Sequence, residues 1–358
     1  MKRLLAACGA LALLTPSGAG AATVLTGDRV DGVPVIDRLD VADVPAGRIS
    51  RFYFRVTDQA AGQGWYVPVL VARGARPGKR LLLTAGIHGD EMNGIDIIHR
   101  LFAELDPRAM QGIVVAIPGL NSPGILNATR GFTPGGEASG ANLNRLMPGD
   151  VHADDVAAVY AGRIWSQLFT GNADAAIDMH TQSRGTVYPM YVFAETAPAR
   201  RMAGLLRPDI IKLDPGVKGT VENMLNAAGV PSVTLELGGP ERFEPEMVRR
   251  GLRGVRNVMM DMGILAGVPD LSGPAPYVGD NSVNVFATRG GYSHVLVALG
   301  DDVTPGQQVA SISDPFGRTV ATLTAPIAGR VSSVATSPTR EIGDLLVRIL
   351  APAPPPVP

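Results

Sequence analysis

The chain has 358 residues, with 32 basic and 33 acidic side chains and a formal charge of -1. The two signs are interspersed, and no basic block alternates with aromatics, which argues against a nucleic-acid partner. Cys8 is the only cysteine, so disulfides, thiolate metal sites and cysteine nucleophiles are excluded for everything beyond the N-terminus.

Lys2 and Arg3, an apolar run from Leu4 to Leu14 and small residues through Ala22 read as a secretory signal over residues 1–22. The run is too short to span a bilayer. The expected mature protein is exported to the periplasm and has no membrane span. Leu5-Ala6-Ala7-Cys8 looks like a lipoprotein processing box, but it comes too early to follow a full apolar stretch, so a lipid anchor at Cys8 is not expected. The alternative is an apolar N-terminal helix of the fold.

Residues 23–58 are strand-like, with turn residues between short apolar runs. The pattern predicts strands over 64–73 and 80–85, the second nearly continuous in apolar residues and therefore buried on both faces. Met92, Ile95, Ile98, Phe102 and Leu105 give helical spacing over 91–105. Strands are predicted over 112–117, 175–179, 188–193 and 232–237. Helices are predicted over 154–169, 198–206, 221–228 and 245–265, two of them opening on a proline, where no amide donor is needed. This alternation indicates an α/β domain over residues 23–272, with a mainly parallel or mixed sheet flanked by helices. Pro269, Gly273, Pro274 and Pro276 mark a linker. Short valine-rich strands with Gly-Asp and Pro-Gly turns then predict a small all-β domain over 275–350. The tail 351–358 is proline-rich and expected to be extended.

The chemistry sits at strand ends, where ligands collect in α/β sheets. The run Leu81-Leu82-Leu83-Thr84-Ala85-Gly86-Ile87-His88-Gly89-Asp90-Glu91 delivers His88 and Glu91 from one tight turn. Asp178-Met179-His180 ends another apolar run. Two histidines and a carboxylate with one position left for water is the pattern of a catalytic zinc. Asp178 lies two residues before His180, on the same side of a strand. It would either fix the imidazole tautomer or cap a turn or pair with an arginine. Val233-Thr234-Leu235-Glu236-Leu237-Gly238-Gly239 places Glu236 inside an apolar strand. A buried glutamate there is a general-base candidate, with a salt-bridged core residue as the alternative. Arg130 and Asn142-Leu143-Asn144-Arg145 flank a glycine-rich loop. They are either carboxylate- and carbonyl-binding groups or surface residues of that loop. His99, His152 and His294 stand apart from these motifs.

Taken together, Ala85-Gly86-Ile87-His88-Gly89-Asp90-Glu91, Asn142-Leu143-Asn144-Arg145, Asp178-Met179-His180 and Glu236-Leu237-Gly238 resemble the succinylglutamate desuccinylase/aspartoacylase family, within the wider zinc carboxypeptidase group. The resemblance implies a zinc-carboxypeptidase-like domain and a C-terminal barrel-sandwich hybrid. It implies one zinc per chain on His88, Glu91 and His180, with Glu236 as base and proton shuttle. Asn144 and Arg145 would hold a substrate carboxylate, and Arg130 would polarise the scissile carbonyl. The implied reaction is amide hydrolysis of a small substrate bearing a carboxylate, such as an N-acyl amino acid. The alternative is an exported carboxypeptidase acting on peptides or cell-wall fragments. Asn142 departs from the family, which usually has aspartate there. No lysine follows Lys218, so the C-terminal domain cannot be a lysine-modified carrier.

Overall fold

A computed structural model describes residues 22–132, 140–213 and 216–353. The signal reading of residues 1–22, with Cys8, therefore lies outside the described residues up to Ala22, as does the tail from 354. The first part carries strands β1 (Val24–Val30), β2 (Val33–Arg38), β3 (Arg48–Asp58), β4 (Gly64–Arg73), β5 (Arg76–Ala85), β6 (Gln111–Pro118), β7 (Ala175–His180), β8 (Thr186–Val187), β9 (Met190–Phe193), β10 (Ile210–Lys212) and β11 (Ser232–Leu237). Its helices are α1 (Asn93–Glu104), α2 (Ser122–Leu126), α3 (Val156–Ile164), α4 (Ala197–Leu206), α5 (Val221–Ala227) and α6 (Pro245–Asp261). Only strands follow: β12 (Tyr277–Phe286), β13 (Gly291–Val295), β14 (Asp302–Val303), β15 (Gln308–Ser313), β16 (Thr319–Thr324), β17 (Gly329–Ala335), β18 (Thr339–Arg340) and β19 (Leu345–Pro352).

The central strands run β6-β5-β7-β11 and are mutually parallel. Antiparallel β4 and β9 flank them. The sheet is mixed: β1–β2 and β3–β4 pair antiparallel across short connections, β2–β3 pair parallel, and helical crossovers join the central strands and the parallel pair β9–β10. Period-two alternation divides the core. Leu81 and Leu83 face α1, α4 and α6, through Ile98, Leu206, Val255 and others. Leu82 points the other way, toward Tyr160 and Ile164 of α3 and Leu225 of α5. Strands covered on both faces explain the continuous apolar run at 81–83.

Helix ends follow local chemistry. Asp155 accepts from the amides of Ala157 and Ala158 and starts α3, and this helix widens into a π turn over Trp165–Phe169. Helix α6 stops at Asp261, short of the expected 265, with Gly263 in the left-handed region at φ +73°.

Four of the C-terminal strands join the main sheet, and the other four form a sheet of their own. Strand β12 pairs with β10, and β19, β17 and β14 continue the ladder, giving one 15-stranded sheet. A four-stranded sheet, β16-β15-β13-β18, faces this extension. Val309, Ile312, Leu323, Val331, Leu346 and Ile349 fill the space between them. The pairing hides the open edge of β10. Among the described residues, no helix is long and apolar enough to cross a membrane.

Candidate active site

Strand β5 ends at Ala85, and Gly86 at φ +69° turns the chain out of the sheet. At Gly89 a Cβ atom would sit 2.0 Å from the Gly124 carbonyl carbon, so only glycine fits against α2. The turn closes with the Glu91 amide donating to the His88 carbonyl at 3.2 Å. It brings His88 Nδ1 to 3.0 Å from Glu91 Oε1. The neighbouring strand β7 supplies His180 at its last residue. Its Nδ1 lies 2.8 Å from Glu91 Oε2 and 3.2 Å from His88 Nδ1. Strand β11 pairs Glu236 directly with His180.

His88, Glu91 and His180 are thus positioned to bind a metal ion, with all ligand atoms within 4.8 Å of one another. Their far sides are anchored. His180 Nε2 lies 2.8 Å from Asp178 Oδ2, and Asp178 Oδ1 accepts from Thr84 Oγ1 at 2.6 Å. His88 Nε2 donates to Asn142 Oδ1 at 3.1 Å, and this oxygen also accepts from the Asn144 amide at 2.9 Å. Both Nδ1 lone pairs therefore face the same point as the carboxylate. That donor set fits zinc. Asn142, read from the sequence only as a departure from the family, orients one ligand with a neutral oxygen, while a carboxylate orients the other.

Burial shapes the charges. The three ligand residues are each at most 3 % exposed. Burial opposes charging of Glu91, but the two histidines hold its carboxyl well below the usual range. Burial pulls the His88 imidazole down. Burial pulls on His180 too, yet Asp178 and Glu91 raise it well above 6.5. Glu236 opens partly onto the cavity, while its Oε2 is buried without a hydrogen-bond partner. Burial pushes its carboxyl up to about 8, against the pull of His180, and the charge on Glu91 adds to the rise. A carboxyl held in this range can both take and return a proton.

The arginines stand at the same place. Arg130 Nη1 donates to Glu91 Oε1 at 2.8 Å and is partly exposed. Arg145 Nη1 donates to the Asn144 carbonyl at 2.5 Å. Burial, with Arg130 nearby, lowers the pKa of its guanidinium. Asn144 is buried. Its Oδ1 accepts from the Val221 amide at 2.9 Å, and its Nδ2 lies 3.4 Å from His180 Nε2. The amide therefore also ties the loop to the start of α5. His99, His152 and His294 are exposed and remote from the site.

A cavity of about 400 Å³ opens over these groups. Its walls include residues that the motifs did not single out: Gln182, Tyr188, Lys212, Glu222, Asn284 and Arg348. Arg348, on β19, donates to the Tyr188 hydroxyl and, at 2.8 Å, to Asn284 Oδ1. Burial pushes the Tyr188 phenol up to about 12. Nothing local in the sequence marks Arg348, because the long-range pairings of β12 with β10 and of β17 with β8 bring β19 to the cavity.

The shifts give the metal-free protein a defined pH response. The His180 imidazolium contributes stability that is complete below about pH 6.5 and is lost as pH rises through its elevated folded value. Glu236 holds a proton up to about 8 in the folded chain but only to 4.5 when unfolded, so it too favours lower pH across that interval. His88 and Glu91, both lowered, act with the opposite sign below 6.5 and 4.5. Between pH 6.5 and 8 the Tm of chelator-treated protein is therefore expected to fall. With zinc the fall should shrink or reverse, since the metal needs deprotonated ligands. A metal-free Tm that is flat or rising over this interval would contradict the charge assignment.

The geometry agrees with comparisons to known proteins. The catalytic-domain model of the succinylglutamate desuccinylase/aspartoacylase family matches residues 77–261. The chain is 29% identical over 271 residues to N-alpha-acetyl-L-2,4-diaminobutyric acid deacetylase of Halomonas elongata, covering 72% of this chain and 77% of that protein. The fold is similar to a succinylglutamate desuccinylase/aspartoacylase from Rhodobacter sphaeroides, with TM-score 0.76 and 24% identity over 87% of this chain and 98% of that one. It is also similar to the product-bound ectoine utilization protein EutE (DoeB) from Ruegeria pomeroyi, with TM-score 0.77 and 22% identity over 86% and 98%. With more than half of its length matched by the family and the metal-binding triad inside the matched segment, the chain belongs to the succinylglutamate desuccinylase/aspartoacylase family.

Proposed function

We propose that this protein is a zinc-dependent hydrolase that removes the acyl group from a small N-acylated amino acid or related amine bearing a carboxylate. One observation carries the reading. His88, Glu91 and His180 converge with a carboxyl at about 8, that of Glu236, in one cavity. A bound zinc ion would supply Lewis acidity and make water acidic enough to attack at neutral pH. Glu236 takes the proton of the attacking water and passes it to the departing amine. Arg130, freed from Glu91, faces the carbonyl oxygen and stabilises the developing oxyanion. Arg145 holds the substrate carboxylate, and Asn144 keeps the Asn142–Arg145 segment in place beside His180. The acetylated amine named for the Halomonas elongata relative supports an acyl amino acid over a peptide. So does the volume of about 400 Å³, the size of a small-molecule pocket, with Ser282, Asn284 and Arg348 among its walls.

The test is a parallel screen of N-acyl amino acids, including N-acetylated diaminobutyrate, and short peptides, with and without zinc. Turnover of the acyl amino acids is expected only with metal. In the Arg145→Gln variant, KM should rise about tenfold or more, for the loss of one charge-assisted hydrogen bond. Cleavage of peptides without any deacylation would replace this reading with the peptidase one.

A further inference from the structure

A second cavity, of about 620 Å³, lies away from the catalytic one. Helix α6, the entry to β10, the linker at 272–275 and the turn at Leu299–Gly300 form its walls. Five arginines line it, Arg207, Arg249, Arg250, Arg253 and Arg330, against two acids, Asp209 and Glu246.

Three of the five guanidinium groups have close carboxylate partners. Arg250 is gripped by both oxygens of Asp209, at 2.7 and 3.0 Å. Arg249 meets Glu246 at 2.6 Å on the surface. Arg330 meets Asp302 at 2.9 Å and lies 4.4 Å over the Tyr277 ring. The other two do not. Arg207 uses Nη2 on the carbonyls of Gly273 and Pro274, each at 2.7 Å, and its Nε is buried with no acceptor. Arg253 reaches Asp270 only at 3.6 Å, and its Nε is likewise buried with no acceptor. Buried donors without acceptors are rare, and these two leave the Arg207 and Arg253 side chains without a close carboxylate. Arg249 and Arg253 are also four residues apart on α6, and Arg250 and Arg253 three, spacings at which like charges repel. An anion between them would relieve this repulsion.

We propose that this cavity binds a phosphate-type oxyanion, as inorganic phosphate or a phosphomonoester. All the cations that line it are arginines, whose planar forked donors suit tetrahedral oxyanions better than a lysine point charge does. The ligand would join α6 and the linker to the C-terminal strands, so its binding should raise Tm. This site is independent of the catalytic reading.

The test is titration of the zinc-loaded full chain with inorganic phosphate, and separately with glycerol 3-phosphate, at ionic strength held constant with sodium chloride, since general screening would mimic a weak site. Calorimetry and Tm are the readouts. Saturable binding at or below about 1 mM is expected, at least tenfold weaker in the R249Q/R253Q double variant. The Arg330→Gln variant probes the opposite wall and should also weaken binding if the double variant fails to fold. Binding by phosphate alone would identify the free ion as ligand, and comparable binding by both would identify the phosphomonoester class. Absence of saturable binding would overturn the proposal. So would unchanged affinity in these variants, or loss of binding in Arg145→Gln alone, which would put the anion in the catalytic cavity.

Discussion

Glu236→Gln is expected to lower kcat by about 10²–10⁴-fold, the range that a positioned general base contributes, while zinc content stays near one ion per chain. The side chain keeps its size and its place on β11 beside His180. It loses only the ability to accept and return a proton. None of the three ligand residues hydrogen-bonds to Glu236, so metal uptake should not change. The substitution also removes a carboxyl that burial disfavours in its charged form, with Oε2 unpartnered. The metal-free variant should therefore melt higher than wild type at pH 8, by about 1–2 °C for each kcal/mol recovered, since the entropy of unfolding grows with chain length. Stability and activity then move in opposite directions, a signature that a merely structural glutamate would not give. Turnover near the wild-type rate would remove Glu236 from the mechanism.

His180→Ala should reduce zinc in the purified protein from about one equivalent to near none, with activity lost in parallel. The histidine supplies Nδ1 to the ligand cluster and is the cationic partner of two buried acids, Glu91 at 2.8 Å and Asp178 at 2.8 Å. Its removal leaves Asp178 with Thr84 as its side-chain donor. A stranded buried acceptor of that kind costs about 1–3 kcal/mol, more when charged, so the variant should also melt lower. Asp178→Asn gives the graded companion. It keeps the shape but weakens the orientation of His180, and metal affinity should drop about 10–100-fold. Metal analysis by atomic emission and competition with a chelator measure both. Full zinc occupancy in His180→Ala would place the metal elsewhere and remove the triad from the mechanism.

Much of the site is local in origin, which is why it could be read from residues. Gly86 and Gly89 are adjacent in sequence to the two side chains that they bring together, and the apolar run before them specifies a buried strand end. His180 and Glu236 likewise stand at the ends of buried strands, and parallel pairing of β5, β7 and β11 aligns those ends. Fold class follows from the alternation of apolar runs with helical spacing. Strand direction does not. A strand buried on both faces has the same apolar pattern whether its neighbour is parallel or antiparallel, so antiparallel β4 and β9 carry no mark.

The sequence by itself pointed to the central strands, the residues positioned to bind a metal ion and the candidate base, because each is marked by the few residues around it in the chain. Tertiary structure put neutral Asn142 on His88, and of the two roles open to Asp178 it chose the contact with His180. It also decided that β12, β14, β17 and β19 continue the main sheet, which carries Arg348 and Asn284 to the rim of the cavity. The Asn142–His88 and Arg348–Tyr188 contacts join residues 54 and 160 positions apart. Pairings over such distances are selected by burial and by backbone hydrogen bonding across the whole sheet, and no short run of residues encodes them.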